Sequence, residues 1–284
     1  SLHFSEFLNA QKLPEIILQP GNHSIQIAAA EIEGNLISLK VDLLSEHREV
    51  EVHHLQDEKG NMNIFQKVAI AFTPASGDLG FTEILFDPIR DAYDGYPDQS
   101  EYVEIYNRSK RTLSLEGLRL REAMDEEGRL TWMIPVNTDL RYLKPGQYFL
   151  IYADQEARIL NDSDLGSFYG LPKSANRLSA VINRSSLSLS SEGDAILLAD
   201  STGLILDSLA FNQNWHNPNI FDHKGIALEK VRPAEALHNA NEWSSSTHNL
   251  GGTPGRKNSI EMVNYPDCGE NCQPYNSLRL SPNP

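Results

Sequence analysis

The chain is short of cysteine, of positive charge and of long apolar runs, and each shortage excludes something. Its only cysteines are Cys268 and Cys272, in the segment YPDCGENCQPYN. A structural zinc ion wants four ligands, so a single C-x3-C pair is a poor zinc site. A small Cys268–Cys272 disulfide loop is expected if the protein is exported, with two free thiols as the alternative. Lys and Arg number 24 against 39 Asp and Glu, a formal charge of −15. General nucleic-acid binders need cations to displace counterions from phosphates, so this balance argues against one. Acidity is also the common state of soluble extracellular proteins. No window approaches the roughly 18 uninterrupted apolar residues of a membrane-spanning helix. The opening SLHFSEFLNA has neither the basic nor the apolar region of a signal peptide. The chain reads as a piece of something longer.

Catalytic signatures are missing too. There is no G-x-S-x-G elbow and no H-E-x-x-H. GGTPGRKNS lacks the glycine spacing of a phosphate loop and follows a turn instead of a strand. The nine histidines are scattered. His53 and His54 are neighbours on a strand, which sends them to opposite faces. NWHNPNIFDHKG gathers His216, Asp222 and His223 in one loop, a set able to recruit a transition metal, although solvated loops with incidental histidines are far commoner. The expectation is a chain that is not an enzyme.

What is present is β-structure. A length of 284 residues suggests two modules, and 40 % apolar residues suffice for packed cores. Short apolar runs fill the first 75 residues, divided by turns such as Pro20-Gly21-Asn22 and Asp57-Glu58-Lys59-Gly60-Asn61. AFTPASGDLG has the Pro, Ser and Gly of a linker or tight junction. A second block of strand candidates begins at Phe81, with a hairpin at Asp200-Ser201-Thr202-Gly203. Only residues 154–180 read as a short helix or two. The fold class is therefore all-β, with two Ig-like antiparallel sandwiches in tandem and a short helical segment in the second. The expected modules are 1–75 and 78–260, followed by a tail at 261–284 leading to a further module.

Ser100–Glu122, SEYVEIYNRSKRTLSLEGLRLRE, alternates at period two. Val103, Ile105, Leu113, Leu115, Leu118 and Leu120 should face inward. The acids and tyrosines of the other face should be wet and mainly solubilising. Gly117 interrupts the alternation as a bulge would. Gly251-Gly252-Thr253-Pro254-Gly255 cannot continue regular structure and should wrap over the sandwich. Trp243 reads as a core or rim anchor.

Two resemblances extend this reading. LHFSEFLNA (Leu2–Ala10) and the Asp57–Asn61 turn resemble bacterial Ig-like domains of S-layer and other cell-surface proteins, with the first strand cut short. From Leu79 to Ser259, seven segments in order resemble the lamin-tail domain. These are FTEILFDP, SEYVEIYNRSKRTLSLEGLRL as a central strand pair, WMIP with LKPGQYFLIYA as a hairpin, SLSLSSEGDAILLADSTGLILDSLAF, GIALEKVRP, NEWSSS and GGTPGRKNS. That resemblance implies an Ig-like sandwich from an exported bacterial protein, extracellular or at the cell surface. Its role would be a non-catalytic module for spacing or for contacts with protein or surface glycan. The alternatives it raises are an accessory targeting domain of an exported nuclease or phosphoesterase, or a calcium-stabilised adhesion module. Direct DNA binding, reported for some lamin tails, is opposed by the charge.

Contacts are expected from loops 87–99 and 212–224, with Tyr93, Tyr96, Trp215 and His216 as candidates. No cofactor is expected, unless calcium binds through Asp87, Asp91, Asp94 and Asp98. The commoner reading is an exposed acidic loop, since the rhythm of an EF-hand is absent. If calcium binds there, millimolar calcium raises the melting temperature, and an unchanged melting temperature removes the site.

Overall fold

The computed structural model describes residues 2–3, 7–9, 11, 14–19, 23–25, 30–33, 36–39, 49–90, 98–122, 133–135, 141–153, 165–170, 179–182 and 187–261. Up to Ala69 the described residues form seven strands: β1 (Leu2–His3), β2 (Glu15–Gln19), β3 (His23–Ile25), β4 (Ala30–Glu33), β5 (Leu36–Leu39), β6 (Glu49–Gln56) and β7 (Met62–Ala69). They form antiparallel sheets in the orders β1-β5-β4 and β3-β2-β6-β7. Ile16, Leu18, Ile37, Val50, Val52, Leu55 and Ile70 share one apolar cluster.

Strand β6 shows how the residues choose their faces. Val50 and Val52 go inward and Glu49 and Glu51 do not, as a two-residue period requires. His54 then takes φ +58°, a left-handed backbone that resets the phase, so Leu55 is the next residue inside. The same kink overturns the expectation that His53 and His54 diverge. Their ring centroids lie 6.2 Å apart, and the His53 ring packs against Phe65 at 4.9 Å.

From Leu79 onward the strands are β8 (Leu79–Leu85), β9 (Tyr102–Asn107), β10 (Leu113–Ser114), β11 (Arg119–Glu122), β12 (Met133–Pro135), β13 (Tyr142–Leu143), β14 (Tyr148–Ala153), β15 (Ser179–Ile182), β16 (Gly193–Ala199), β17 (Ile205–Asn212), β18 (Leu228–Lys230) and β19 (Trp243–Ser245). One helical turn, α1 (Leu165–Phe168), falls within the segment expected to be helical. A six-stranded sheet in the order β15-β14-β9-β8-β18-β19 and a four-stranded sheet, β12-β11-β16-β17, supply the two layers, with β10-β13 as a small ribbon. The described strand pairings are antiparallel except β14 with β15, and an isolated bridge of Phe72 with Leu113 is parallel too. Phe81, Val103, Ile105, Leu120, Phe149, Ile196, Leu198, Leu209 and Trp243 belong to the cluster that fills the sandwich. The chain is all-β.

Three local expectations change. Ser100–Glu122 is not a strand pair, because β9 joins the six-stranded sheet and β11 the four-stranded one. The chain crosses between layers, with β10 pairing to β13 on the way. MIP and YFLIYA likewise part company: β12 pairs with β11 and β14 with β9. Alternation reveals which face is apolar but not which neighbour a strand takes. Gly117, in turn, marks a tight turn at φ +75° closed by Leu118 N–H on the Leu115 carbonyl at 3.3 Å, and not a bulge. The bulge in β8 falls instead between Phe81 and Glu83.

Phe72 is the junction. Its ring packs against both clusters, Arg111 lies over it at 5.2 Å, and its main chain bonds Thr112 and Ser114 at 2.8 Å each. The core makes a direct prediction. Leu198→Ala, at a fully buried position, should cost about 2–5 kcal/mol in denaturant unfolding. Leu204→Ala, at an exposed turn, should change stability by no more than about 0.5 kcal/mol.

Candidate functional site

Strand β8 is buried along its whole length, on the outer face as well as the inner. The outer cover is the closing segment, residues 251–261. It begins where only glycine fits. A Cβ on Gly251 would stand 1.9 Å from the Gly225 carbonyl oxygen, and one on Gly252 would stand 2.3 Å from the Tyr102 hydroxyl. The segment therefore comes down flush on the sheet, as its glycine-proline composition suggested.

Three glutamates wait beneath it. Glu83, Glu104 and Glu229 come from the adjacent strands β8, β9 and β18, and all are fully buried. Glu83 Oε1 accepts from the Tyr102 hydroxyl at 2.5 Å and from Thr253 N–H at 2.7 Å. Glu104 accepts from the Thr82 hydroxyl at 2.9 Å and from Gly255 N–H at 2.6 Å. Glu229 Oε2 accepts from the Ser259 hydroxyl at 2.8 Å and from Ile260 N–H at 3.1 Å. The Thr253 hydroxyl lies between Glu229 Oε1 (2.9 Å) and Glu83 Oε2 (3.2 Å). Asn258 completes the fastening by donating to the Thr82 and Lys230 carbonyls at 2.9 and 2.8 Å.

Among the described residues no lysine or arginine pairs with these three carboxylates. Burial, and then the neighbouring Glu229, pushes Glu83 up to about 8. Burial and then Glu83 hold Glu104 well above the usual carboxylate range. The face of β9 expected to be wet is thus covered: Tyr102 and Glu104 are fully buried, and Glu101 nearly so. Acids on alternate positions read as solvent-facing unless a later segment supplies donors.

A second polar centre, between the two layers, surrounds Asp207 of β17. Its carboxylate accepts from Phe81 N–H at 2.8 Å and Arg108 Nη2 at 3.0 Å, and pairs with His238 Nε2 at 2.9 Å. Arg108 also donates to the Leu79 and Glu235 carbonyls at 3.0 and 2.8 Å. A Cβ on Gly80 would fall 1.7 Å from Arg108 Nη2, so the guanidinium occupies the place a side chain would take. Lys230, fully buried, donates to the Glu235 carbonyl; burial and then Arg108 pull it down to about 8.

The loop residues singled out from sequence fare unevenly. Trp215 and His216 turn inward instead of offering contacts. His216 is 4 % exposed, its Nδ1 lies 2.8 Å from the Ser245 hydroxyl, and its ring stacks on His223 at 4.5 Å. The Trp215 ring packs 6.4 Å from Trp243. Burial, then His223, lowers His216 to about 4. Asp222 caps the Lys224 N–H at 3.0 Å. Phe221 of this loop is fully exposed. Asp87 and Asp98 are half-buried at the base of the acidic loop, where the Asp87 carbonyl accepts from Gly225 N–H at 2.7 Å. Asp91, Tyr93, Asp94 and Tyr96 lie outside the described residues, as do Cys268 and Cys272. Among the described residues no three His, Cys, Asp or Glu are grouped to hold a metal ion, and no helix is long and apolar enough to cross a membrane.

The architecture is thus a two-layered antiparallel sandwich whose buried acids are taken up by its own chain. The family model Lamin Tail Domain matches residues 73–213, so over that stretch the chain carries a lamin tail domain, a family that points to a non-enzymatic role. Strands β18 and β19 and the closing segment lie beyond the matched stretch and complete the same sandwich. No curated protein matches the chain. Among solved structures, a DUF4876 family protein from Bacteroides thetaiotaomicron VPI-5482 is similar at 11 % identity, with a TM-score of 0.33, over 89 % of this chain and 96 % of that one.

Asp207→Ala should cost about 3–5 kcal/mol in denaturant unfolding, because it strands the Arg108 charge in the interior. His216 gives a pH prediction. Its folded value is depressed from 6.5 to about 4, so the unfolded chain binds more protons in that interval. The His216 contribution to stability is therefore complete above about pH 6.5 and is lost as pH falls toward about 4. Acid melts of the wild type and of His216→Gln should differ in slope over that interval.

Proposed function

We propose that the chain is a non-catalytic spacing and contact module of a larger exported bacterial protein, working outside the cell or on its surface. The observation that carries this reading is how the buried acids are used. Glu83, Glu104 and Glu229 are hydrogen-bonded by Tyr102, Thr82 and the closing segment, which leaves them no role toward an outside substrate. The separate apolar cluster of the residues up to Ile70, ahead of the lamin-tail stretch, supports reading them as a second unit of the Ig-like kind found in surface proteins. Contacts with protein or surface glycan fall to the loops at the sandwich end. There Phe221 projects fully and Ile89 is half exposed, on a base fixed by the bonds of His216 and Asn217 to Ser245.

The test is made on the intact parent protein in its host. A tag inserted after Thr202, in the exposed 201–204 part of the turn, should be labelled by antibody on unbroken cells. Phe221→Ser should weaken retention on the cell envelope several-fold without altering the melting temperature. Labelling only after lysis, or hydrolysis of phosphodiesters by the purified chain that a buried-acid variant abolishes, would overturn the reading.

A further inference from the structure

We propose that residues 251–260 form a proton-held latch, which stays down on β8, β9 and β18 while the bridge Glu83–Thr253–Glu229 carries a proton and lifts when that proton leaves. The argument is a count of hydrogens. The Thr253 hydroxyl has one hydrogen to give. It lies within bonding distance of two carboxylate oxygens, Glu229 Oε1 at 2.9 Å and Glu83 Oε2 at 3.2 Å. The other donors to these two glutamates reach their opposite oxygens, Glu83 Oε1 and Glu229 Oε2. One contact is filled by the threonine hydrogen. The other is a bond only when a carboxylic acid donates to the threonine oxygen. Two ionised carboxylates would leave a buried oxygen facing a lone pair, in an interior where such a mismatch costs most.

The groups facing the bridge do not supply the missing charge. Strand β9 offers Tyr102 and Glu104, and Tyr169 follows α1; burial drives both tyrosines above their ordinary range, so they remain neutral donors. Tyr148 on β14 is likewise raised by burial. The cations of the segment itself are engaged elsewhere, Arg256 with the Tyr169 carbonyl at 3.0 Å and Lys257 with Glu261 at 3.6 Å. Loss of the proton therefore meets no cation.

The direction follows from linkage. Glu83 is raised from 4.5 to about 8, so the closed form holds more protons than the open one across that interval. Latch stability is complete below the ordinary carboxylate value and is lost as pH rises through about 8. His216 works in the opposite sense, but only below about 6.5, and Lys230 only between about 8 and 10.5. From pH 6.5 to 8 neither of these two groups competes with the carboxylates.

Amide hydrogen exchange on the full chain, corrected for the intrinsic pH dependence, tests the latch. The Thr253, Gly255 and Ile260 amides should lose protection by about tenfold per pH unit between pH 6.5 and 8, while amides of β16 and β17 keep theirs. Glu83→Gln keeps the shape and puts an N–H beside Thr253, so it should abolish that slope; Glu229→Gln should act alike. A flat wild-type profile, loss of protection in step with β16 and β17, or a slope unchanged in both variants would each overturn the proposal.

Discussion

The outer face of the six-stranded sheet depends on backbone N–H groups from the chain's end reaching acids placed on three neighbouring strands. A buried carboxylate is costly unless donors surround it, and Glu83, Glu104 and Glu229 find theirs in Thr253, Gly255 and Ile260. This one arrangement accounts for features that otherwise look unrelated. It explains why β8 is buried on both sides, why glycine occupies positions 251 and 252, and why an acidic strand can lie at the heart of a sandwich.

The polar centres also divide the labour of specifying the fold. Apolar packing between the layers is tolerant of detail, whereas hydrogen bonds are not. Asp207, on the four-stranded layer, binds Arg108 and the Phe81 amide of the six-stranded layer, which fixes how the two sheets slide on each other. The glutamates fix the closing segment to the outside. A wrong register at either place strands a charge, so the penalty for misassembly exceeds the gain from correct assembly. Such asymmetry favours a single arrangement.

Much of the architecture was legible from residue order. Val103, Ile105, Leu113, Leu115, Leu118 and Leu120 face inward as their alternation demands, and the Asp200–Gly203 hairpin lies where its turn residues put it. The wrapping of Gly251–Gly255 was readable because that composition has no regular alternative. Partnerships were not readable. Nothing in SEYVEIYN announces that its polar face meets a segment some 150 residues later, since Glu104 beside Gly255 is a contact of separation 151. His54 escaped because a left-handed residue inside a strand leaves no mark in composition when it is not glycine. Trp215 and His216 read as loop contacts because loop position suggests exposure, yet Ser245 draws in His216 and Trp243 packs beside Trp215.

Phe72 carries a mechanical consequence. Its ring touches both apolar clusters, and its main chain is bonded on either side to the Thr112–Ser114 stretch. Tension entering through the strands before Phe72 passes straight into the β10–β13 ribbon, with no slack tether to stretch beforehand. Bending at this point requires withdrawing the ring from beneath Arg111 and shearing two peptide bonds' worth of hydrogen bonding together. The pair should therefore behave as a stiff strut under load, and yield at the joint by a sudden step.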